Sequence, residues 1–234
     1  MRLVHGADLE WNAPPPQHRV GRLSFKRLLD GQPGTPENYS LSIAKPVGDF
    51  HSPRHRHNFD QFRFSLKADY EIGPKLEIKE GQFGYFPEGT YYGPYDTPED
   101  RETLVLQFGG ASGQGYIGID EIRAGFLELS KVGRFEDGAY KVETPDGRRK
   151  NKDAYEAVWE HLTGRDLVYP KPRYVTPVIV DPEAFAWCEV PGQAGVRVRM
   201  LGVFTERGTR VEILGVASGA SATLPAEEAI RTVF

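Results

Sequence analysis

One cysteine, Cys188, occurs in 234 residues, so no intrachain disulfide braces the fold and nothing demands an oxidising compartment. It sits in the apolar stretch "AFAWCEV", where a lone thiol is expected to fill core rather than to serve as a nucleophile. Long hydrophobic runs are missing. None approaches the roughly 20 apolar residues of a spanning helix, and the N-terminal "MRLVHGADLEWNAPPPQHR" lacks the apolar stretch of a secretory signal. The expectation is a cytoplasmic protein without a membrane partner. An excess of positive charge is missing too: the net charge is −4, which removes the electrostatic footprint of a nucleic-acid binder. The one basic cluster, Arg148, Arg149, Lys150 and Lys152, lies among acidic residues and reads as a solvated loop. Histidine is absent after His161, which confines any imidazole chemistry to the first two thirds of the chain.

What is abundant is turn chemistry. With 26 Gly and 18 Pro, the chain breaks into short segments, which favours many strands and an all-β-dominated fold. From Val20 to Phe108, β-branched and aromatic runs alternate with Gly, Pro and Asn clusters, the pattern of hairpins. Alternation is clearest in "QFRFSLK", where Phe62, Phe64 and Leu66 oppose Gln61, Arg63, Ser65 and Lys67. The apolar set is expected to pack inward and the polar set to face out. Between Ile119 and Leu162 the period changes. Ile119, Ile122, Phe126 and Leu129 predict one helix stopped near Gly133; Ala154, Tyr155, Val158, Trp159 and Leu162 predict another, with Asn151 as N-cap and Gly164 as C-cap. Asp146-Gly147 predicts a hairpin between them. Strands resume after "YPKPRY", in a rhythm that weakly echoes the first block. The expected organisation is therefore a barrel over 1–109, a helical and hairpin insertion over 110–174, and a second, partial β-unit over 175–234. The apolar run ending at Phe234 reads as an unfinished strand, from a longer protein or one that pairs with the first sheet or another subunit, so a homo-oligomer is possible.

The chemistry concentrates in "HSPRHRHNFDQ". His55 and His57 stand two apart, so on a strand both imidazoles leave the same face and can converge on one ion. Gln61 lies four residues beyond. In "GQFGYFPEGTYY", Gly81 and the Pro87-Glu88-Gly89 corner turn the chain and aim the next side chains back at those histidines.

These two stretches resemble the two motifs of the cupin superfamily. The first motif carries two histidines one apart and then a glutamate; the second carries a Gly, a Pro and a Gly at the intervals of Gly81, Pro87 and Gly89, and then a histidine. The resemblance reaches from about residue 18 to 109. It implies a cupin-type antiparallel β-barrel, a jelly roll with both motifs at the barrel mouth, and, with the second block, a bicupin whose second half is degenerate or truncated. It implies a small-molecule ligand or substrate, a divalent metal (Fe, Mn, Ni or Zn) held by His55, His57 and Gln61, and metal-dependent dioxygenase or isomerase chemistry. The departures fall on the ligands. Gln61 stands where the family has glutamate and Tyr92 where it has the last histidine, while Ala68 replaces the glycine that closes the first motif. An amide brings no charge to a cation, and Tyr92 is expected to donate a hydrogen bond or a proton. The alternative is a metal-free binding or sensing module that kept the barrel and lost the ligands. A third reading, a metal-free acid–base pair of His and Tyr, needs a carboxylate, for which Asp60 and Glu88 are candidates. His51 is the nearest replacement ligand, across Ser52-Pro53.

Overall fold

The computed structural model describes residues 3–12, 22–97, 100–143, 149–204, 206–225 and 230–234. Internal contacts divide the chain into two compact units, Met1–Ile179 and Val180–Phe234.

The first unit is built on a six-stranded sheet in the order Arg22–Asp30, Tyr39–Val47, Glu102–Gly109, Phe59–Lys67, Phe83–Phe86 and, at the edge where the unit ends, Val178–Val180. The pairings Arg22 to Val47, Tyr39 to Phe108, Phe59 to Gly109 and Gln61 to Phe86 are antiparallel. Two short antiparallel ladders, Phe50–Ser52 with Tyr95–Thr97 and Tyr70–Gly73 with Leu76–Ile78, contribute to a shared core. That core holds Phe50, Tyr70, Ile72, Ile78, Phe86, Tyr92 and Tyr95. Consecutive strands that do not pair and are joined by crossovers are the jelly-roll habit.

The strand Phe59–Lys67 departs from the expectation set by its alternation. Gln61, Arg63 and Ser65 are buried at 2%, 9% and 0% exposure, whereas Phe64 and Leu66 are only partly buried. Gln61 and Arg63 face the barrel interior, where they line a cavity rather than meet solvent, while Lys67 at the end of the strand is exposed. Phe62 packs on the opposite side against Tyr85, Phe83 and Phe108.

Both predicted helices form, at Ile119–Leu129 and Ala154–Thr163. Their apolar faces meet in a second core of Phe59, Tyr116, Ile117, Ile122, Tyr155, Val158, Trp159 and Leu167. Asp153 rather than Asn151 caps the second helix, its carboxylate accepting from the Glu156 N–H at 3.0 Å. Asn151 lies in the strand Arg149–Asp153, which pairs with Ala139–Glu143. The Asp146-Gly147 turn lies outside the described residues. Gly164 ends the helix at φ 66°, a conformation that favours glycine.

The second unit has a three-stranded antiparallel sheet of Cys188–Glu189, Val196–Phe204 and Thr209–Val216. Val196 and Leu201 are buried in this sheet, and Trp187 lies beneath the guanidinium groups of Arg197 and Arg199, each 4.6 Å from the ring. Cys188 is exposed, contrary to its reading as core: it sits on a two-residue edge strand with both residues open to solvent. No strand forms over 221–225 or 230–234. Among the described residues no helix is long and apolar enough to cross a membrane.

Candidate functional site: a cationic barrel pocket

His55 and His57 precede the strand Phe59–Lys67 instead of lying on it. Backbone pairing still fixes them. His55 N–H donates to the Tyr92 carbonyl at 2.9 Å and Tyr92 N–H to the His55 carbonyl at 3.0 Å, so the segments carrying the two motifs are joined at these residues. Gly89 N–H donates to the His57 carbonyl at 2.7 Å, with Gly89 at φ 77° in the corner that makes this approach possible. The imidazole centroids are 5.0 Å apart, and the ring of Tyr92 lies 4.1 Å from that of His55.

Each ring is oriented by a partner. His55 Nδ1 lies 2.6 Å from the Pro53 carbonyl, which can only accept, so Nδ1 carries a proton and donates to it. His57 stacks on Phe59 with centroids 4.4 Å apart, and its Nδ1 shares a hydrogen bond with the Tyr92 hydroxyl at 3.1 Å.

Arg63 organises the rest. Its guanidinium donates through Nε to Gln61 Oε1 at 2.5 Å, through one terminal nitrogen to the Tyr95 hydroxyl at 3.0 Å, and through the other to the Tyr92 hydroxyl at 2.9 Å. The group also lies over the rings of Phe86 and Tyr92, at 4.5 and 4.9 Å. Burial works against its charge, but Tyr92, Tyr95 and Tyr70 more than offset this and hold its pKa above the ordinary arginine value. A second arginine, Arg101, is 3% exposed and lies 4.4 Å over the ring of Tyr70. Burial lowers its pKa, with Tyr70 and Tyr95 opposing that effect. For Tyr95 burial raises the pKa, yet the attraction of Arg63 and then Arg101 prevails and brings it down to about 8.

These groups surround a cavity of about 170 Å³ that is also lined by Phe25, Phe50, Phe59 and Val105, and by Ile119, Ile122 and Tyr155 from the helical segment. Tyr155 is anchored by donating to Asn58 Oδ1 at 2.7 Å. The helical segment therefore supplies part of the pocket wall. Among the described residues, no Asp or Glu lines the cavity.

Other residues singled out in the sequence lie elsewhere. His51 bonds Asp96 on the surface at 2.8 Å. Asp60 points to the other face of its strand, accepting from the Tyr85 hydroxyl and the Glu88 N–H. Glu88 accepts from the Ser112 N–H and hydroxyl. Tyr92 lines the cavity, whereas Phe64, Tyr85 and Tyr91 do not. Tyr91 lies under the guanidinium groups of Arg54 and Arg56. Arg63 and Arg101 were missed by sequence reasoning. Arg63 carried a readable signal, since it stands two residues after Gln61 and must share its face; Arg101 carried none.

No protein-family model and no curated protein matches the chain. Among solved structures, a protein of Nostoc punctiforme with a provisional assignment as a dioxygenase superposes with a TM-score of 0.53 at 12% identity, covering 91% of this chain and 59% of that one. The chain thus spans about three fifths of that protein's length. An RmlC-like cupin protein from Ralstonia eutropha matches at 12% identity and a TM-score of 0.37, covering 56% of this chain and 87% of that one. An acetylacetone dioxygenase from Acinetobacter johnsonii matches at 12% identity and a TM-score of 0.37, covering 68% and 91%. The antiparallel jelly-roll strands and the pairing of the two motif segments at His55 and Tyr92 decide the architecture. The fold is a cupin fold.

Whether this cupin pocket suits a divalent ion is a question about its donors. Among the described residues no three His, Cys, Asp or Glu side chains come together as a ligand set. Gln61 Oε1, which would replace the carboxylate, already accepts from Arg63, and so does the Tyr92 oxygen. A permanent positive charge thus sits within hydrogen-bond distance of two of the four positions, where it repels a dication strongly at low dielectric. Arg63 thus already engages two of the four positions, and among the described residues no Asp or Glu joins His55 and His57 at the cavity.

Proposed function

We propose that this cupin-fold protein binds a small organic molecule in its barrel pocket without a resident divalent metal. The observation that carries this reading is the occupation of the donor set by Arg63, which bonds Gln61 and Tyr92 together. The guanidinium, the Tyr92 hydroxyl and His57 Nδ1 form a connected series, in which the hydrogen bond between Tyr92 and His57 can hold its proton on either atom. Such a pair can orient a bound molecule by hydrogen bonding and can give or take one proton.

A second reading, a metal-dependent dioxygenase or isomerase, is favoured by one observation: the imidazoles lie 5.0 Å apart and His55 is tied through Nδ1, the arrangement of an imidazole that presents Nε2 to a ligand. Metal analysis of protein purified without chelator or polyhistidine tag separates the two. The metal-free reading expects well below one equivalent of any transition metal, unchanged in His55→Ala and His57→Ala. One equivalent that disappears in both variants establishes the second reading instead.

A further inference from the structure

Two arginines are buried beside one cavity, and among the described residues no Asp or Glu lines it. Arg63 has its partners in Gln61, Tyr92 and Tyr95, all of them neutral when the tyrosines are protonated. Arg101 is worse served. Among the described residues its Nε and one terminal nitrogen are buried with no hydrogen-bond partner, and the hydroxyl of the nearby cavity residue Thr103 has none beyond Tyr70. A guanidinium cannot shed its charge to ease this, because arginine stays protonated in proteins. Burying a charge without a counter-charge costs several kcal/mol, and a buried donor without an acceptor roughly a further 1–3 kcal/mol. An anion bound there would supply the missing acceptors and the counter-charge.

We propose that the pocket is a carboxylate site, in which Arg101, supported by Thr103, anchors the anionic head of a small planar organic acid whose body lies among Phe25, Phe50 and Phe59. The cavity, about 170 Å³, is smaller than the roughly 300–1,000 Å³ of sites for drug-sized ligands, which limits the acid to one ring or a short chain. The wall combines these polar groups with apolar side chains such as Phe25, Phe50, Phe59 and Val105, so a molecule with one charged end and one apolar end matches it. A carboxylate oxygen accepts the charge-assisted hydrogen bonds that a neutral amide accepts more weakly. The proposal rests on the metal-free reading, since an acid held by a metal would not need Arg101.

Benzoate is the probe, benzamide its neutral counterpart of nearly equal shape, and sodium chloride the control for a simple anion. Calorimetric titration of chelator-stripped wild-type protein is expected to give benzoate an affinity at least about tenfold above benzamide, with no saturable chloride binding. Arg101→Met is expected to lower benzoate affinity at least about tenfold and leave benzamide unchanged, and Arg101→Lys to retain part of the preference. Equal binding of benzoate and benzamide, no benzoate binding at millimolar concentration, or undiminished benzoate binding by a folded Arg101→Met variant overturns the carboxylate assignment. Should Arg101→Met not fold, the wild-type ratio of benzoate to benzamide decides by itself. Benzoate binding that appears only after adding one equivalent of zinc or ferrous ion overturns the metal-free reading and this assignment with it. Loss of the preference in stripped protein overturns this assignment alone.

Discussion

Arg63 Nε donates to Gln61 Oε1 at 2.5 Å, so the amide that stands in the place of the cupin glutamate is held by a cation, not offered to one. Gln61→Glu alone would turn this contact into a buried ion pair. It is therefore expected to leave metal affinity unchanged, and only Gln61→Glu combined with Arg63→Leu and Tyr92→His is expected to bind zinc with one-to-one stoichiometry. Competition with a fluorescent zinc chelator measures both proteins.

Truncating the cation should be costly in itself. Arg63→Leu leaves Gln61 Oε1 and the Tyr92 and Tyr95 hydroxyls without their donor, and the loss expected from such a buried network is roughly 2–4 kcal/mol. Urea denaturation should show a lower midpoint at an unchanged slope.

Tyr95 predicts a pH dependence of stability. Its folded pKa is about 8, below the roughly 10 of an exposed tyrosine. Between these values the unfolded chain binds the proton and the folded one does not, so stability rises with pH through this window. The contribution is fully present above about 10 and lost as pH falls through about 8. Urea unfolding of wild type and Tyr95→Phe at several pH values should show the difference growing across this range, and absorbance at 295 nm should show one tyrosine ionising early.

Ala68 occupies the place of the glycine that closes the first cupin motif, and it adopts φ 66°. That conformation costs a non-glycine residue roughly 1–2 kcal/mol, offset in part by the greater freedom glycine has in the unfolded chain. Ala68→Gly is expected to raise stability by roughly 0.5–1 kcal/mol, measurable as a higher melting temperature. Here sequence and structure agree, for the motif demanded a glycine because the turn demands a positive φ.

Much of the architecture was legible because it depends on local chemistry. Gly81, Pro87 and Gly89 mark turns, and the spacing of Ile119, Ile122 and Phe126 marks a helix; neither needs knowledge of the rest of the chain. The interior of the site was less legible. Alternation in Phe59–Lys67 separates two faces without saying which is inside, and hydrophobicity chose wrongly because the barrel encloses a cavity to which this strand turns Gln61 and Arg63. Arg101 immediately precedes the strand Glu102–Gly109 and is placed by that strand's pairing, a relation between distant segments that no local pattern records. The helix cap failed for a similar reason: Asn151 is a good capping type, but pairing with Lys141 commits it to a strand and leaves the cap to Asp153. Asp153→Ala should cost about 1 kcal/mol, and Asn151→Ala should not cost this amount through capping.

Calorimetric titration of chelator-stripped protein with zinc, nickel and ferrous ions, under anaerobic conditions for the last, tests most directly whether Arg63 has displaced metal from this cupin pocket. The prediction is no stoichiometric binding at micromolar concentration. One equivalent bound at that concentration by the wild-type chain, and lost in His57→Ala, would contradict it.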